Sequence, residues 1–280
     1  MSLTKKLLIF IVVMFIGLSQ ADAQKWKRQS APTVPDLELF HSLMSFSLPT
    51  AETLKKNDWH FGISHRFTTP ISEGAGELWG FDGSVIMRLE LGYAPIDDLL
   101  LTVGRSNQEG NLDFQAKYKI FKFPNEVAPT LIAINGGVAY MGKAIDEPED
   151  KARLWQYYGQ LIINTMFFEK KLGIGAVPSY VYNTNILCED CQYTLAVGTY
   201  AAYYIDDLWS VLAEYTPTLA GWRNYYDSFG LGFQMETGGH FFKFLVTNNF
   251  QTNTTQYLSG APHSFESGDW HFGFYITRTL

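Results

Sequence analysis

Cysteine is nearly absent: Cys188 and Cys191 are the only two in 280 residues. So small a supply excludes a disulfide-stapled miniature scaffold and a four-thiolate zinc site. Charge is scarce too, at 18% of residues, with 21 Lys and Arg against 28 Asp and Glu. A nucleic-acid partner, which wants a basic face, is therefore not expected. Beyond the apolar run Leu7–Leu18, no stretch approaches the roughly 18 consecutive apolar residues of a transmembrane helix. The marks of nucleophilic catalysis are missing as well. There is no Gly-x-Ser-x-Gly, and Ser64 and His65, being adjacent, point to opposite faces of a strand. No enzyme activity, cofactor or metal site is expected.

What the chain has in excess is rings and glycine: 21 Phe, 16 Tyr, 7 Trp and 24 Gly. That mixture favours strands. Apolar and polar residues alternate with period two. In "NLDFQAKYKIF", Leu112, Phe114, Ala116, Tyr118 and Ile120 share one face, and Asp113, Gln115, Lys117 and Lys119 the other. In "WHFGISHRF", Trp59, Phe61, Ile63 and Phe67 oppose His60, Gly62, Ser64 and Arg66. In "WHFGFYITRTL", Trp270, Phe272, Phe274 and Ile276 oppose His271, Gly273, Tyr275 and Thr277. Twelve such runs are expected, at about 58–69, 80–94, 98–107, 110–121, 128–140, 155–168, 172–185, 192–205, 208–217, 224–236, 239–249 and 268–280. Globular strands average ~5–6 residues. Most of these runs are longer, near the ~9–11 residues with which a tilted strand crosses a bilayer.

The connections alternate in length. Short ones such as "PIDD", "EKK", "DD" and "TGG" follow every second strand; longer ones, such as 70–79, 141–154 and 250–267, follow most of the others. Short turns at one rim and long loops at the other mark an outer-membrane barrel, with both chain ends on the short-turn, periplasmic side. A soluble barrel would have to bury its aromatic faces inside, and about eight strands already fill such an interior. Turned outward, the same faces meet lipid. The expected fold is an all-β transmembrane antiparallel barrel of about twelve strands over 58–280. Lys5 and Lys6, the run Leu7–Leu18 and Ala21-Asp22-Ala23 form a three-part signal sequence over 1–23, cut before Gln24. Residues 24–57 are left as a plug in the lumen or a periplasmic segment.

Several stretches are familiar: "LFHSLMSFSLPTAETL", "ISHRF" at 63–67, "GFDGSVIMRLELGYAPID" at 80–97, "TVGRSN" at 102–107 and "DFQAKYKIF" at 113–121. Through them the chain resembles an uncharacterised outer-membrane β-barrel family of Bacteroidetes, domain of unknown function family 5777. The resemblance spans essentially all of 24–280. It implies one barrel domain in the outer membrane and no established activity.

Strand parity nominates lumen-lining charges: Arg66, Asp82, Arg88, Glu90, Asp113, Lys117 and Lys119, with His60, Glu214, Lys243 and His271. Arg66 and Asp82 form a candidate cross-strand pair. This set makes either a stiffening ion-pair network or a charged constriction in a narrow passive channel. A lipid- or ligand-binding barrel, or a lipid-modifying enzyme, is the alternative. His65 and Arg105 fall on the lipid-facing parity near the long-loop rim. There they contact lipopolysaccharide phosphates, unless a β-bulge turns them inward. Trp59 and Trp270 are assigned to the aromatic girdles. Cys188 and Cys191 are read as a loop disulfide, with redox activity as the other option. Expected partners are outer-membrane lipid, lipopolysaccharide and the barrel-insertion machinery.

Overall fold

The computed structural model describes residues 37–144, 146, 148–185, 187 and 192–280. The expected signal sequence and the Cys188–Cys191 pair lie outside these residues.

Alternation becomes thirteen strands: β1 (Trp59–Phe67), β2 (Val85–Ile96), β3 (Leu99–Ser106), β4 (Asn111–Phe123), β5 (Thr130–Met141), β6 (Trp155–Phe167), β7 (Leu172–Tyr182), β8 (Tyr193–Tyr204), β9 (Trp209–Thr216), β10 (Thr218–Gly221), β11 (Ser228–Thr237), β12 (His240–Thr247) and β13 (His271–Thr279). Twelve of them close into one antiparallel ring. Each strand from β1 to β8 pairs with the next, β9 pairs with β11, β11 with β12, and β13 with both β12 and β1. The extra strand is β10, which pairs with β8 across an irregularity between Thr218 and Ala220. A loop was expected there. Pro217 has no N–H to give, so it interrupts the ladder that β9 makes with β8. The pairing then resumes with Thr218 opposite Ala196.

One boundary moved for a local reason. β2 begins at Val85 instead of near Gly80. Leu78, Trp79 and Gly80 all have positive φ (47°, 53° and 93°), a left-handed run that cannot continue an extended strand. Asp82 is thereby left exposed in the loop, off the lumen. The candidate Arg66–Asp82 pair does not form: Arg66 stands in register with Ile86 on one side and Gly273 on the other.

The outer face is the expected apolar belt. Phe61, Leu91, Val103, Leu112, Phe114, Ile134, Leu161 and Ile174 are all exposed on it. Rings stack at its borders, with Trp59 on Tyr93 (4.6 Å between centroids) at the short-turn rim and Tyr140 on Trp155 (4.9 Å) at the long-loop rim. Trp270 stands one residue before β13, its indole N–H donating to the Phe265 carbonyl at 2.7 Å.

The inner face divides into two halves. β1 to β4, with β12 and β13, turn mainly polar and charged residues inward. β5 to β8 turn in Leu131, Ala133, Ile162, Met166, Val177, Val181, Ala196 and Ala202, all buried. Amides such as Asn135, Gln156, Gln160 and Asn164 stand among them, but no charged residue does, so period-two reading finds these strands without revealing how much of this half of the lumen is hydrophobic.

A cation placed in the outer belt meets hydrocarbon. Ile134, fifth in β5 between Tyr118 and Leu161, tests this. Ile134→Arg is expected to lower the free energy of unfolding from lipid by about 2–4 kcal/mol, measured by urea titration in vesicles. Parent-like stability would show that this face does not meet the acyl chains.

Candidate functional site

A ring closed in lipid has an interior to fill, and two segments fill it. The first is residues 37–57, which precede β1. It turns back on itself: Ser45 N–H donates to the Leu48 carbonyl at 2.8 Å, Thr50 N–H to the Leu43 carbonyl at 3.0 Å, and Thr50 Oγ1 to the Ser42 carbonyl at 2.6 Å. Its apolar side chains Leu39, Phe40, Phe46, Leu48 and Ala51 are buried in one cluster with Leu131, Ile162, Met166, Val177 and Leu212 of the wall. The hydrophobic half of the lumen is the seat for this face. Gly198 on β8 leaves room there: a Cβ would stand 2.5 Å from Leu48 Cδ2.

The other side of the segment presents bare main chain, and main chain in a dry interior must be paired. Charged side chains of the wall do this. Glu214 on β9 accepts from three successive N–H groups, Phe46 at 2.6 Å, Ser47 at 3.0 Å and Leu48 at 3.2 Å. Lys117 Nζ donates to the carbonyls of Leu43 (3.0 Å) and Thr50 (2.9 Å). Lys243 Nζ donates to Ser42 Oγ at 2.8 Å, to the Ser45 carbonyl at 2.6 Å and to the Met44 carbonyl. Neutral groups assist. Ala51 N–H donates to Asn164 Oδ1 at 2.6 Å, and Tyr200 O–H to the Pro49 carbonyl at 3.1 Å. The segment returns one charge: Glu52 accepts from its own Leu39 (2.8 Å) and Phe40 (3.1 Å) N–H groups and from Lys119 Nζ at 3.1 Å.

Above this grip lies an ion-pair network within the wall. Arg88 holds Asp113 with two nitrogens and reaches Glu90 at 3.3 Å. Glu90 also meets His60 Nε2 at 3.2 Å and accepts from Tyr275 O–H. Gly104 makes the arrangement fit, since a Cβ there would fall 2.1 Å from Arg88 Nη2. Arg66 is 1% exposed, and its hydrogen-bond partners among the described residues are neutral: Ser64 Oγ at 3.1 Å and the carbonyls of His65 at 3.0 Å and Phe274 at 3.5 Å. At the short-turn rim an open hollow of about 430 Å³ is bounded by Leu37 of the segment and by Pro124, Pro129, Met166 and Lys170. A second cavity between segment and wall, of about 20 Å³, is bounded by Leu43, Met44, His60, Glu90 and Lys117. That is room for about one water molecule.

The second filler is residues 248–261 of the β12–β13 connection, expected to lie outside the barrel. The structure folds them inward. A single-turn helix, Thr254–Tyr257, is buried along with Leu258. Its fastenings are mostly neutral: Thr255 Oγ1 to Gln156 Oε1 at 2.7 Å, Asn249 Nδ2 to Ser228 Oγ at 2.8 Å, and Tyr257 O–H to Glu214 Oε2 at 3.4 Å. The side-chain amides of Asn253 and of Asn111 opposite are buried with no hydrogen-bond partner among the described residues. Sequence reading missed this filler. Its signal was the density of amides and hydroxyls in "NNFQTNTTQYLS", a composition more suited to pairing buried backbone than to a bare loop.

Of the residues nominated from sequence, Arg66, Arg88, Glu90, Asp113, Lys117 and Lys119 are buried and face inward, and Asp82 does not. His65 and Arg105 face outward with no bulge in either pairing. His65 packs on Phe274 at 4.4 Å, and Arg105 Nη1 donates to the Gly110 carbonyl at 2.5 Å. Ser64 is inside and His65 outside, so the two side chains do not meet.

Closed strand order, an apolar outer belt and a filled lumen define an occluded transmembrane antiparallel β-barrel. The chain belongs to the family described as "Membrane bound beta barrel domain" (DUF5777), whose model matches residues 40–280. In fold it is similar to the COG4313 outer membrane channel from Pseudomonas putida F1, at 12% identity and a TM-score of 0.55, over 82% of this chain and 98% of that one. A likeness to outer membrane phospholipase A from Escherichia coli has 10% identity and a TM-score of 0.43, over 79% of this chain and 90% of that one. No curated protein sequence matches the chain. Family and fold support an outer-membrane location.

Two outcomes are expected. Asp113→Ala strands the buried Arg88 guanidinium and should cost about 3–5 kcal/mol of stability; denaturant titration in detergent micelles checks it. The second concerns Glu109, in the turn between β3 and β4, which accepts from Gln256 Nε2 of the inner loop at 3.3 Å. Burial raises its pKa above the ordinary carboxylate value, and the Gln256 donor opposes that rise. Its neutral form therefore favours the packed loop. That stability is present at low pH and is lost as pH rises through the raised pKa. The melting temperature of the parent minus that of Glu109→Gln should fall across this range, and a difference constant with pH would refute the assignment.

Proposed function

We propose that this protein is a gated passive channel of the outer membrane, closed in the state described. One observation supports the reading above the others. Beside the Arg88–Asp113–Glu90 network, three buried charges of the wall, Lys117, Lys243 and Glu214, engage main-chain atoms of a separable segment rather than one another. A barrel stiffened for its own sake would pair Lys117, Lys243 and Glu214 with one another or replace them with apolar residues, since buried charges are costly to desolvate. Here each is satisfied by residues 42–50, and withdrawal of those residues would leave a polar passage. The inner loop 248–261 is a second seal in series, and its unpaired amides make it the looser of the two.

On this reading residues 1–23 are a signal peptide removed on export, the short-turn rim faces the periplasm, and the insertion machinery assembles the barrel. Outer-membrane lipid surrounds it. Arg105, exposed above Val103 and Leu112 on the outer face, reaches a phosphate of lipopolysaccharide.

Planar-bilayer recording tests the channel. Glu214→Gln keeps an acceptor but removes the charge that three N–H groups share, so open steps should become severalfold more frequent than in the parent. Unboiled and boiled samples compared on a detergent gel confirm that the variant is folded. A folded variant as silent as its parent would sink the proposal.

A further inference from the structure

We infer that the opened lumen selects anions. This rests on the channel reading above and names the class of solute it would pass. The whole chain carries a formal charge of −7. The buried charges on its strands have the opposite balance, with Arg66, Arg88, Lys117, Lys119 and Lys243 against Glu90, Asp113 and Glu214.

Their positions sharpen the imbalance. Asp113 and Glu90 are already engaged by Arg88 and His60. Glu214 lies two residues from the long-loop end of β9. The lysines stand at mid-strand or nearer the short-turn rim, Lys243 three residues in from the short-turn end of β12, Lys117 at the middle of β4 and Lys119 two residues beyond it toward that rim. Among the described residues none of the three makes an ion pair with a carboxylate of the strands. In the closed state they face Glu52 and the carbonyls of Leu43, Met44, Ser45 and Thr50, all of which belong to the segment. When the segment leaves, these counter-groups leave with it, and three ammonium groups on two strands border the passage. Glu236, a carboxylate on the strands at that end, sits part-exposed at the mouth, where it meets His41 at 2.6 Å.

Holding carbonyls does not by itself require charge. Tyr200 holds the Pro49 carbonyl with a neutral hydroxyl. Ammonium groups at the other carbonyls add a cost of burial that a purely structural role leaves unexplained, and lumenal Lys and Arg are the usual selectors of anions in pores.

The test uses the full chain carrying Glu52→Gln, which weakens the segment's hold while leaving every wall charge in place. Single channels are recorded in planar bilayers under a potassium chloride gradient. The reversal potential should lie on the chloride side, with a chloride-to-potassium permeability ratio above one. Adding Lys243→Gln, or separately Lys117→Gln, should lower that ratio severalfold, while Lys143→Gln, exposed at the opposite rim, should leave it unchanged. A reversal potential on the potassium side overturns the inference and leaves the channel standing. A ratio unmoved by either lysine replacement also overturns it. Silence from the Glu52→Gln chain and from Glu214→Gln alike overturns the channel reading and this inference together.

Discussion

A backbone in hydrocarbon cannot leave an N–H or a carbonyl unpaired, because no water is there to receive it. The pairing of β1 with β13 discharges that requirement for the whole sheet, running from His60 opposite Thr279 to Arg66 opposite Gly273. Everything else follows from the closure. A closed ring of twelve strands encloses more space than its own side chains fill. The segments that enter it bring their own main chain, which must again be paired away from water. Side chains of the wall are the available partners, and those with charge bind strongest. The buried lysines and glutamates of this barrel thus answer the same demand, one layer further in, as the strands themselves.

The lumen is asymmetric because the segment is. Residues 37–57 have an apolar side and a bare backbone side, and the wall mirrors both. β5 to β8 supply leucine, isoleucine and valine; β1, β2, β4, β9 and β12 supply charges. Glycines at Gly104 and Gly198 mark two places where the fit is close, one behind a guanidinium and one behind Leu48. Nor do the two "DWHFG" stretches build a common site. His60 lies opposite Thr279 on β13, eight residues along from His271, which is about 26 Å of extended chain. Each stretch sits where a strand enters the membrane, at opposite rims.

The fold was legible because a lipid-facing strand advertises itself twice, by period and by length. The charged half of the lumen was legible for the same reason: Arg88, Asp113, Lys117 and Lys243 interrupt an apolar alternation at every second residue. Three features were not. Asp82 followed the parity of its neighbours, but parity holds only along an extended chain, and the left-handed turn at 78–80 ended it. The uncharged half of the lumen left little contrast to read, since Leu131, Ile162, Met166, Val177 and Val181 face inward from strands whose outer faces are apolar too. The inward course of 248–261 depends on contacts with Gln156, Ser228 and Glu214, which are distant in sequence and adjacent only once the ring has closed.

Both fillers are tethered to the seam. Residues 37–57 run directly into β1, and residues 248–261 lead within ten residues into β13. The two strands that form the seam are therefore the two that carry the ring's contents. In the closed ring both segments lie behind that one pairing. A ring closed with residues 37–57 outside would hold buried ammonium and carboxylate groups facing nothing. That penalty couples the filling of the lumen to the closing of its wall.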